Sequence, residues 1–167
     1  MQIRKATLAD VPAIMNIIKK IVPLMQADGN FQWNETYPNT EVFEKDIAAG
    51  QLWVADIDGQ IAGVSAITTE QYPEYADAGL DITEEAIVPH RVAVDPDFRG
   101  MGAAKALMLE AEEEAKRRHI KILRVDTNSQ NKATQALFPK LGYRFCGSIG
   151  LQFRPGLSFL CYEKTIA

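Results

Sequence analysis

Two glycines stand where a predicted strand meets a predicted helix. The strand is expected over 87–94 and the helix over 102–118, with Arg99-Gly100-Met101-Gly102 at the junction. Glycine is a poor helix former because ordering it costs the most backbone entropy, so its use here indicates a special requirement. The first turn of a helix carries N–H groups without backbone partners, and the helix dipole adds partial positive charge. The junction therefore predicts a site where main-chain N–H groups bind a phosphate.

Two common phosphate-binding motifs do not fit this junction. The dinucleotide motif Gly-x-Gly-x-x-Gly requires a third glycine where the chain has Lys105. Its acidic residue, expected about 20 positions further on, falls among the basic residues Lys121 to Arg124, and the next acid is Asp126. The pattern Gly-x-x-x-x-Gly-Lys-Ser/Thr is absent. The glycine pair alone does not identify the ligand.

The hydrophobic periodicities and turn residues along the chain predict the order β α α β β β α β α β β. Strands are predicted at 3–6, 52–55, 61–64, 87–94, 120–127, 143–149 and 159–164. Helices are predicted from 11 up to Pro23, at 40–49, at 102–118 and at 129–140, with a long loop over 70–86. Such an order predicts a mixed sheet with helices on both faces, open at one point in the middle.

Length and charge restrict the class of protein. A chain of 167 residues is the size of one domain, so a single domain over 1–167 is expected. The net charge of −4 argues against a nucleic-acid partner, which needs a basic surface. No signal peptide and no apolar stretch of about 20 residues is present, so we expect a cytoplasmic protein without a membrane partner. The two cysteines form no metal-binding pattern, and no metal is expected.

Three stretches of the chain resemble the GNAT N-acetyltransferase superfamily. The stretch "HRVAVDPDFRGMGAAKAL" is similar to the family's acetyl-CoA motif, Arg/Gln-x-x-Gly-x-Gly/Ala. The stretch "DTNSQNKATQALFPKLGYRFCG" is similar to the strand and helix that follow it, and "IRKATLADVPAI" to the usual opening. The resemblance implies an α/β GNAT fold, with a mixed, mostly antiparallel sheet of about seven strands that is splayed centrally. It also implies acetyl-CoA as co-substrate and direct acetyl transfer to a primary amine.

The resemblance also implies which residues would hold acetyl-CoA. Main-chain N–H groups at the junction would bind the pyrophosphate, and the preceding strand would pair with the pantetheine arm. The cofactor-binding residues implied are Val92, Ala93, Val94, Arg99, Gly100, Met101, Gly102, Ala103, Ala104, Asn131 and Phe138. A backbone N–H near Val92 would stabilise the oxyanion.

Phe138 stands where many family members have a tyrosine that protonates the leaving thiolate. A phenyl ring cannot donate a proton, so three interpretations stay open. Coenzyme A leaves as a thiolate that solvent protonates, or Tyr143 or another residue substitutes. Alternatively, the chain is a non-catalytic module that binds or senses acyl-CoA.

The acceptor side has fewer sequence signals. An amine is mostly protonated at neutral pH, so a base must accept a proton. His90 is the first candidate because histidine titrates near neutrality, and Glu35, Glu84 and Glu85 are rivals in loops; a non-catalytic role stays open for all four. Trp33 and Tyr37 are expected either to wall an acceptor pocket or to cap the core.

The acceptor itself is expected to be a small molecule, either an amino acid or a polyamine-like compound. The aromatic residues and the acidic 70–86 loop favour a cationic, partly apolar group. A protein N-terminus or lysine is the alternative acceptor, and homodimerisation stays open.

Overall fold

A computed structural model describes residues 1–167. Its seven strands are β1 Gln2–Lys5, β2 Leu52–Ile57, β3 Gln60–Thr68, β4 Val88–Val94, β5 Ile122–Asn128, β6 Arg144–Leu151 and β7 Arg154–Thr165. Its four α-helices are α1 Val11–Ala27, α2 Thr40–Ala48, α3 Ala103–Arg117 and α4 Lys132–Lys140. Three short 3₁₀ helices cover Leu8–Asp10, Pro73–Ala78 and Pro96–Phe98. The predicted order of strands and helices is confirmed.

The seven strands form two antiparallel groups, β1-β2-β3-β4 and β5-β7-β6. The groups meet just before β4, where the Ile87 N–H donates to the Ile122 carbonyl at 2.9 Å and the Arg124 N–H donates to the Ile87 carbonyl at 2.9 Å. This single parallel bridge is the only pairing between them, so β4 and β5 diverge beyond it. The central opening that the sequence predicts is therefore confirmed.

Helices cover both faces of the first group of strands. On one face, Ile14 and Ile18 of α1 and Phe43 of α2 pack into a cluster with Val54 and Val64. On the other face, Ala103 and Leu107 of α3 pack against Ala55 and Ala62. A methyl group added at Gly63 would lie 3.1 Å from the Ala93 carbonyl oxygen and 3.3 Å from a Leu107 methyl. This absence of a side chain lets α3 lie close against the sheet.

Local interactions form two of the connections. The Asp10 carboxylate accepts a hydrogen bond from the Thr7 N–H at 2.8 Å, which completes a capping box before α1. Asp58 and Gly59 both have positive φ, +52° and +85°, and form the two-residue turn between β2 and β3.

Several predicted boundaries differ from the structure. α1 continues through Pro23 to Ala27. The φ of proline is compatible with a helix, and Pro23 removes only one helical hydrogen bond, the one to the carbonyl of the exposed Lys19. α4 also contains Pro139 and ends at Lys140 as predicted, but it begins at Lys132 rather than at 129. β7 begins at Arg154 rather than 159, because its pairing with β6 continues to the hairpin tip. The 70–86 loop contains a 3₁₀ helix, Pro73–Ala78, that buries Tyr75.

None of the helices has both the length and the hydropathy that crossing a bilayer requires. Both cysteines are free thiols; Cys161 is buried and Cys146 is half-buried.

Candidate active site

The opening between β4 and β5 widens into a cavity of about 740 Å³. One end, the helix end, is lined by Arg99, Ala104 and Asn131, at the starts of α3 and α4. The other, the hairpin end, is lined by side chains of the loop between α1 and α2, of the 70–86 loop and of the β6–β7 hairpin tip. These hairpin-end residues include Trp33, Tyr37, Tyr72, Phe153 and Arg154.

The helix end contains a run of unpartnered main-chain donors. The N–H groups of Gly100, Gly102, Ala103, Ala104 and Lys105 have no hydrogen-bond partner, and no side chain caps the N-terminus of α3. Gly100 and Gly102 have φ of +79° and +83°, and a methyl group added at either would meet no atom within 4 Å. Both glycines are exposed to solvent. A run of free main-chain donors at a helix N-terminus is suited to binding a phosphate group.

A β-bulge shapes β4 where it borders the cavity. Val64 pairs with Ala93 but Ala66 pairs with His90, so Arg91 and Val92 together lie opposite Ser65. Arg91 has a φ of +52°, which is unusual for a residue with a side chain and indicates local strain. Two hydrogen bonds from its guanidinium to Asp46, at 2.8 and 2.7 Å, hold it in place. The bulge leaves Val92 without a register partner at the central opening.

Asn131 and Phe138 lie on the α4 side of the cavity. The Asn131 side-chain oxygen accepts a hydrogen bond from the Thr134 N–H at 3.2 Å and caps α4, while its Nδ2 donates to no protein atom. Phe138 is buried and packs edge-on against Tyr162, with ring centroids 5.4 Å apart. Asn131 thus keeps two N–H donors for a ligand, whereas Phe138 contributes an apolar surface.

His90 lies on β4 at the hairpin end of the cavity, almost fully buried. Its Nε2 lies 2.8 Å from the Glu70 carbonyl oxygen. A carbonyl oxygen only accepts hydrogen bonds, so Nε2 carries the proton and neutral His90 has its lone pair on Nδ1. Nδ1 has no hydrogen-bond partner. The His90 ring also contacts Tyr72 edge-on, at a centroid distance of 5.0 Å.

Asp126 is a site residue that the sequence did not single out. Its carboxylate lines the cavity from β5 and accepts a hydrogen bond from the buried Tyr75 hydroxyl. Burial raises the pKa of Asp126, and the positive charge of His90 acts in the opposite direction. The sequence signal that could have identified Asp126 is its position: it is an acid on a strand that borders the central opening, where ligands bind in such sheets.

Aromatic side chains and one arginine line the hairpin end. Trp33 is buried, and it both packs in the core and lines the cavity. The Tyr37 hydroxyl accepts a hydrogen bond from Arg91 at 3.4 Å. The 70–86 loop reaches the cavity only through Tyr72, and the acidic Glu84 points instead to Arg124, 3.0 Å away. The acidity of this loop therefore gives no support to a cationic acceptor.

Not every predicted site residue reaches the cavity. Glu35 is exposed on a turn outside it. Tyr143 is buried on the far side of Phe138, and its hydroxyl has no partner. Gly100, Met101 and Gly102 are exposed between Arg99 and Ala104, and the Ala103 side chain packs beneath α3. The other predicted residues line the cavity: Trp33, Tyr37, His90, Val92, Ala93, Val94, Arg99, Ala104, Asn131 and Phe138.

Curated proteins of known activity include matches to this chain. An N-acetylaspartate synthetase from Rattus norvegicus is 30% identical over 113 residues, which cover 68% of this chain and 34% of the relative. Its counterpart from Xenopus tropicalis is 25% identical over 113 residues. The chain thus matches only about a third of the length of these relatives.

Solved structures match almost the whole chain. A GNAT-family acetyltransferase from Streptococcus agalactiae is 28% identical with a TM-score of 0.84, covering 99% of this chain and 95% of that one. A ribosomal-protein-alanine N-acetyltransferase from Brucella melitensis is 27% identical with a TM-score of 0.73, covering 99% and 100%. A Salmonella typhimurium protein solved with its cofactor acetyl-CoA shares the fold, at 21% identity, a TM-score of 0.74 and coverage of 100% and 94%.

A family model matches the chain as well. The model described as the acetyltransferase (GNAT) family matches residues 18–143, which include β4, the glycine junction and α4. Because this match extends over well more than half of the sequence and the fold agrees with that of solved members, the chain belongs to the GNAT family of acetyltransferases.

Proposed function

We propose that this protein transfers the acetyl group of acetyl-CoA directly to the primary amine of a small molecule. The observation that carries the proposal is that one cavity extends from Arg99 and Ala104, on either side of the exposed glycines with free N–H groups, to His90 with its unpartnered Nδ1. A phosphate-binding nest and a proton acceptor on opposite sides of one cavity are what acetyl transfer from a nucleotide thioester to an amine requires.

The helix end and the β4 edge form the proposed cofactor site. Acetyl-CoA, when bound there, supplies the acetyl group as an activated thioester. The N–H groups of Gly100, Gly102 and the first turn of α3 would donate to the two phosphates. The edge of β4 from Val92 to Val94 would pair with the extended amide arm as an added strand would. The free Nδ2 of Asn131 provides a further donor on the opposite wall.

His90 is the proposed base. Its Nε2–H is engaged by the Glu70 carbonyl, so the lone pair on Nδ1 is the position that would accept a proton from the amine. A negative charge on the nearby Asp126 would stabilise the positive charge that His90 then acquires. Glu35, Glu84 and Glu85 are exposed outside the cavity, so they are weaker candidates than His90.

The bulge in β4 supports a role for the Val92 N–H as the oxyanion donor, because Val92 borders the central opening without a register partner. Phe138 provides no proton for the leaving thiolate, and Tyr143 is packed behind it. Solvent protonation is sufficient for a thiol, whose ordinary pKa is about 8.5.

A small acceptor is supported by the size and walls of the cavity. A volume of about 740 Å³ is typical of small-molecule sites, and the buried Trp33 and the ring of Tyr37 narrow its hairpin end. The relatives named N-acetylaspartate synthetases are consistent with an amino acid as acceptor. A second candidate is a protein N-terminus, which the similarity to a ribosomal-protein-alanine N-acetyltransferase favours.

Two measurements test the proposal. Calorimetry with acetyl-CoA and coenzyme A is expected to show binding, and absence of binding would refute the proposed cofactor site. Release of coenzyme A is then measured across amines, amino acids and peptides with free N-termini. Turnover with small amines supports the proposal, and turnover restricted to peptides supports the second candidate. Binding without turnover on any acceptor would instead identify an acyl-CoA-sensing module.

A further inference from the structure

Arg154 stands at the tip of the β6–β7 hairpin and lines the hairpin end of the cavity. Its guanidinium lies over the Tyr37 ring at 4.7 Å and over the Phe153 ring at 5.1 Å from the centroid. The Nε–H donates to the Gln32 carbonyl at 3.0 Å. Stacking between two aromatic rings and a main-chain hydrogen bond hold the side chain in one orientation, half-buried.

This orientation leaves part of the guanidinium free. Besides the Gln32 bond, Nη1 donates to the Phe153 carbonyl at 3.0 Å, and Nη2 donates to no protein atom. No carboxylate lies within ion-pair distance of Arg154, whereas Arg91 pairs with Asp46 and Arg124 pairs with both Glu84 and Glu163. The free Nη2 of a fixed guanidinium fits an anion, and a carboxylate most closely, because both groups are planar and can form two parallel hydrogen bonds.

The charge of the surrounding wall agrees with an anionic ligand. The Arg91 cation is neutralised by Asp46, and Asp126, the acid on β5, is engaged by the Tyr75 hydroxyl. Arg154 is therefore the cation at the hairpin end that no carboxylate neutralises.

Ring contacts connect Arg154 to the proposed base. Phe153 contacts Tyr72 at a centroid distance of 5.1 Å, and Tyr72 contacts His90 at 5.0 Å. The guanidinium and the imidazole thus lie on one continuous wall of the cavity, separated by two aromatic rings. A ligand whose anionic group is bound by Arg154 would therefore lie along the wall that leads to His90.

We infer that the acceptor is an amino acid whose carboxylate is bound by Arg154, so that its amine lies toward His90. This inference rests on the proposed acetyl transfer, and it narrows the acceptor from any small amine to one that carries a carboxylate. Polyamines are excluded by it, because they would place positive charge against the Arg154 guanidinium.

Matched acceptor pairs test the inference. L-Leucine, L-phenylalanine and L-methionine are compared with isopentylamine, phenethylamine and 3-(methylthio)propylamine, which lack only the carboxylate, and L-aspartate and L-glutamate are included. Coenzyme A release is followed for the wild type, Arg154→Gln and Arg154→Lys. Arg118→Gln is the control, because Arg118 is an exposed arginine without an ion pair outside the cavity.

The wild type is expected to prefer at least one amino acid over every decarboxylated amine by 100-fold or more in kcat/KM. Arg154→Gln should raise the KM for that amino acid about 100-fold and leave the KM for acetyl-CoA unchanged, since two charge-assisted hydrogen bonds are lost. Arg154→Lys should restore part of the affinity, and Arg118→Gln should match the wild type. Equal use of amines with and without a carboxylate, or a preference that survives in Arg154→Gln, overturns the inference.

A binding measurement separates this inference from the proposed transfer reaction. Thermal shifts with the same amino acids and amines are recorded in the presence of coenzyme A. Stabilisation by amino acids that disappears in Arg154→Gln supports the carboxylate site even if no acceptor is turned over, in which case only the transfer reaction is refuted. If no amino acid stabilises the wild type and none is acetylated, the carboxylate site is refuted.

Discussion

Replacing Gly102 by valine tests the main-chain nest at the start of α3. Gly102 has a φ of +83°, and no atom lies within 4 Å of the position of an added Cβ. Valine therefore meets no protein atom, but it must adopt a left-handed conformation at a cost of about 1–2 kcal/mol. For a chain of this size, such a cost corresponds to a Tm lower by about 2–8 °C.

The effect on coenzyme A binding should be larger than the effect on stability. The branched side chain would occupy the open space in front of the free N–H groups of Gly102 and Ala103. A hydrogen bond to a charged group contributes about 1.5–3 kcal/mol, so losing two costs about 3–6 kcal/mol. Calorimetry should then show an affinity for coenzyme A about 10²- to 10⁴-fold below that of the wild type.

Gly59→Val is the matched control. Gly59 has a φ of +85° and open space around its added Cβ, and it lies in the β2–β3 turn outside the cavity. It should lose a similar amount of Tm and keep the wild-type affinity. Coenzyme A binding by Gly102→Val within about threefold of the wild type, or an equal loss in both variants, would refute the nest.

Four further variants test the other residues. His90→Gln should lower kcat/KM about 100-fold and abolish the rise of activity with pH that a deprotonated base causes; an unchanged pH–rate profile would exclude His90 as the base. Burial raises the pKa of Asp126, so the folded state binds this proton more tightly than the unfolded state and loses stability as pH rises through the folded pKa. Asp126→Asn should therefore keep or increase Tm at pH 7 while lowering kcat, and a large loss of Tm would contradict this. Tyr143→Phe removes a buried hydroxyl without a partner and should leave kcat and Tm at wild-type values or higher; a lower kcat would instead indicate that Tyr143 protonates the leaving thiolate. Asp46→Ala should lower the free energy of unfolding by about 3–5 kcal/mol in urea, because Arg91 is left buried and unpaired; a loss below 1 kcal/mol would contradict this.

The sequence pointed most clearly to the part of the candidate site that is built from main-chain N–H groups. Gly100 and Gly102 mark a backbone geometry that few other residues adopt, so their position before a helix was informative without any partner. The role proposed for Val92 to Val94 came from the resemblance to the GNAT superfamily, and the structure places all three residues along the cavity.

Side-chain roles were less predictable because they depend on partners distant in the chain. Asp126 lines the cavity and accepts a hydrogen bond from Tyr75, which is 51 positions away in the chain. Arg154 is held in its orientation by stacking on Tyr37. Tyr143 and Glu35 have suitable chemistry, but packing directs one into the core and leaves the other outside the cavity. Their sequence context contained no signal for this difference.

The sequence by itself determined the order of strands and helices, the family and the position of the glycine junction before α3, because hydrophobic period, turn residues and glycine conformations are local properties. Only the tertiary structure decided which side chains meet in the cavity, that neutral His90 has its lone pair on Nδ1, and that Arg154 lacks a counter-ion. Those properties arise when β4 and β5 diverge and the hairpin tip, the 70–86 loop and the loop before α2 close around the gap. They depend on distances between residues that the chain order does not specify.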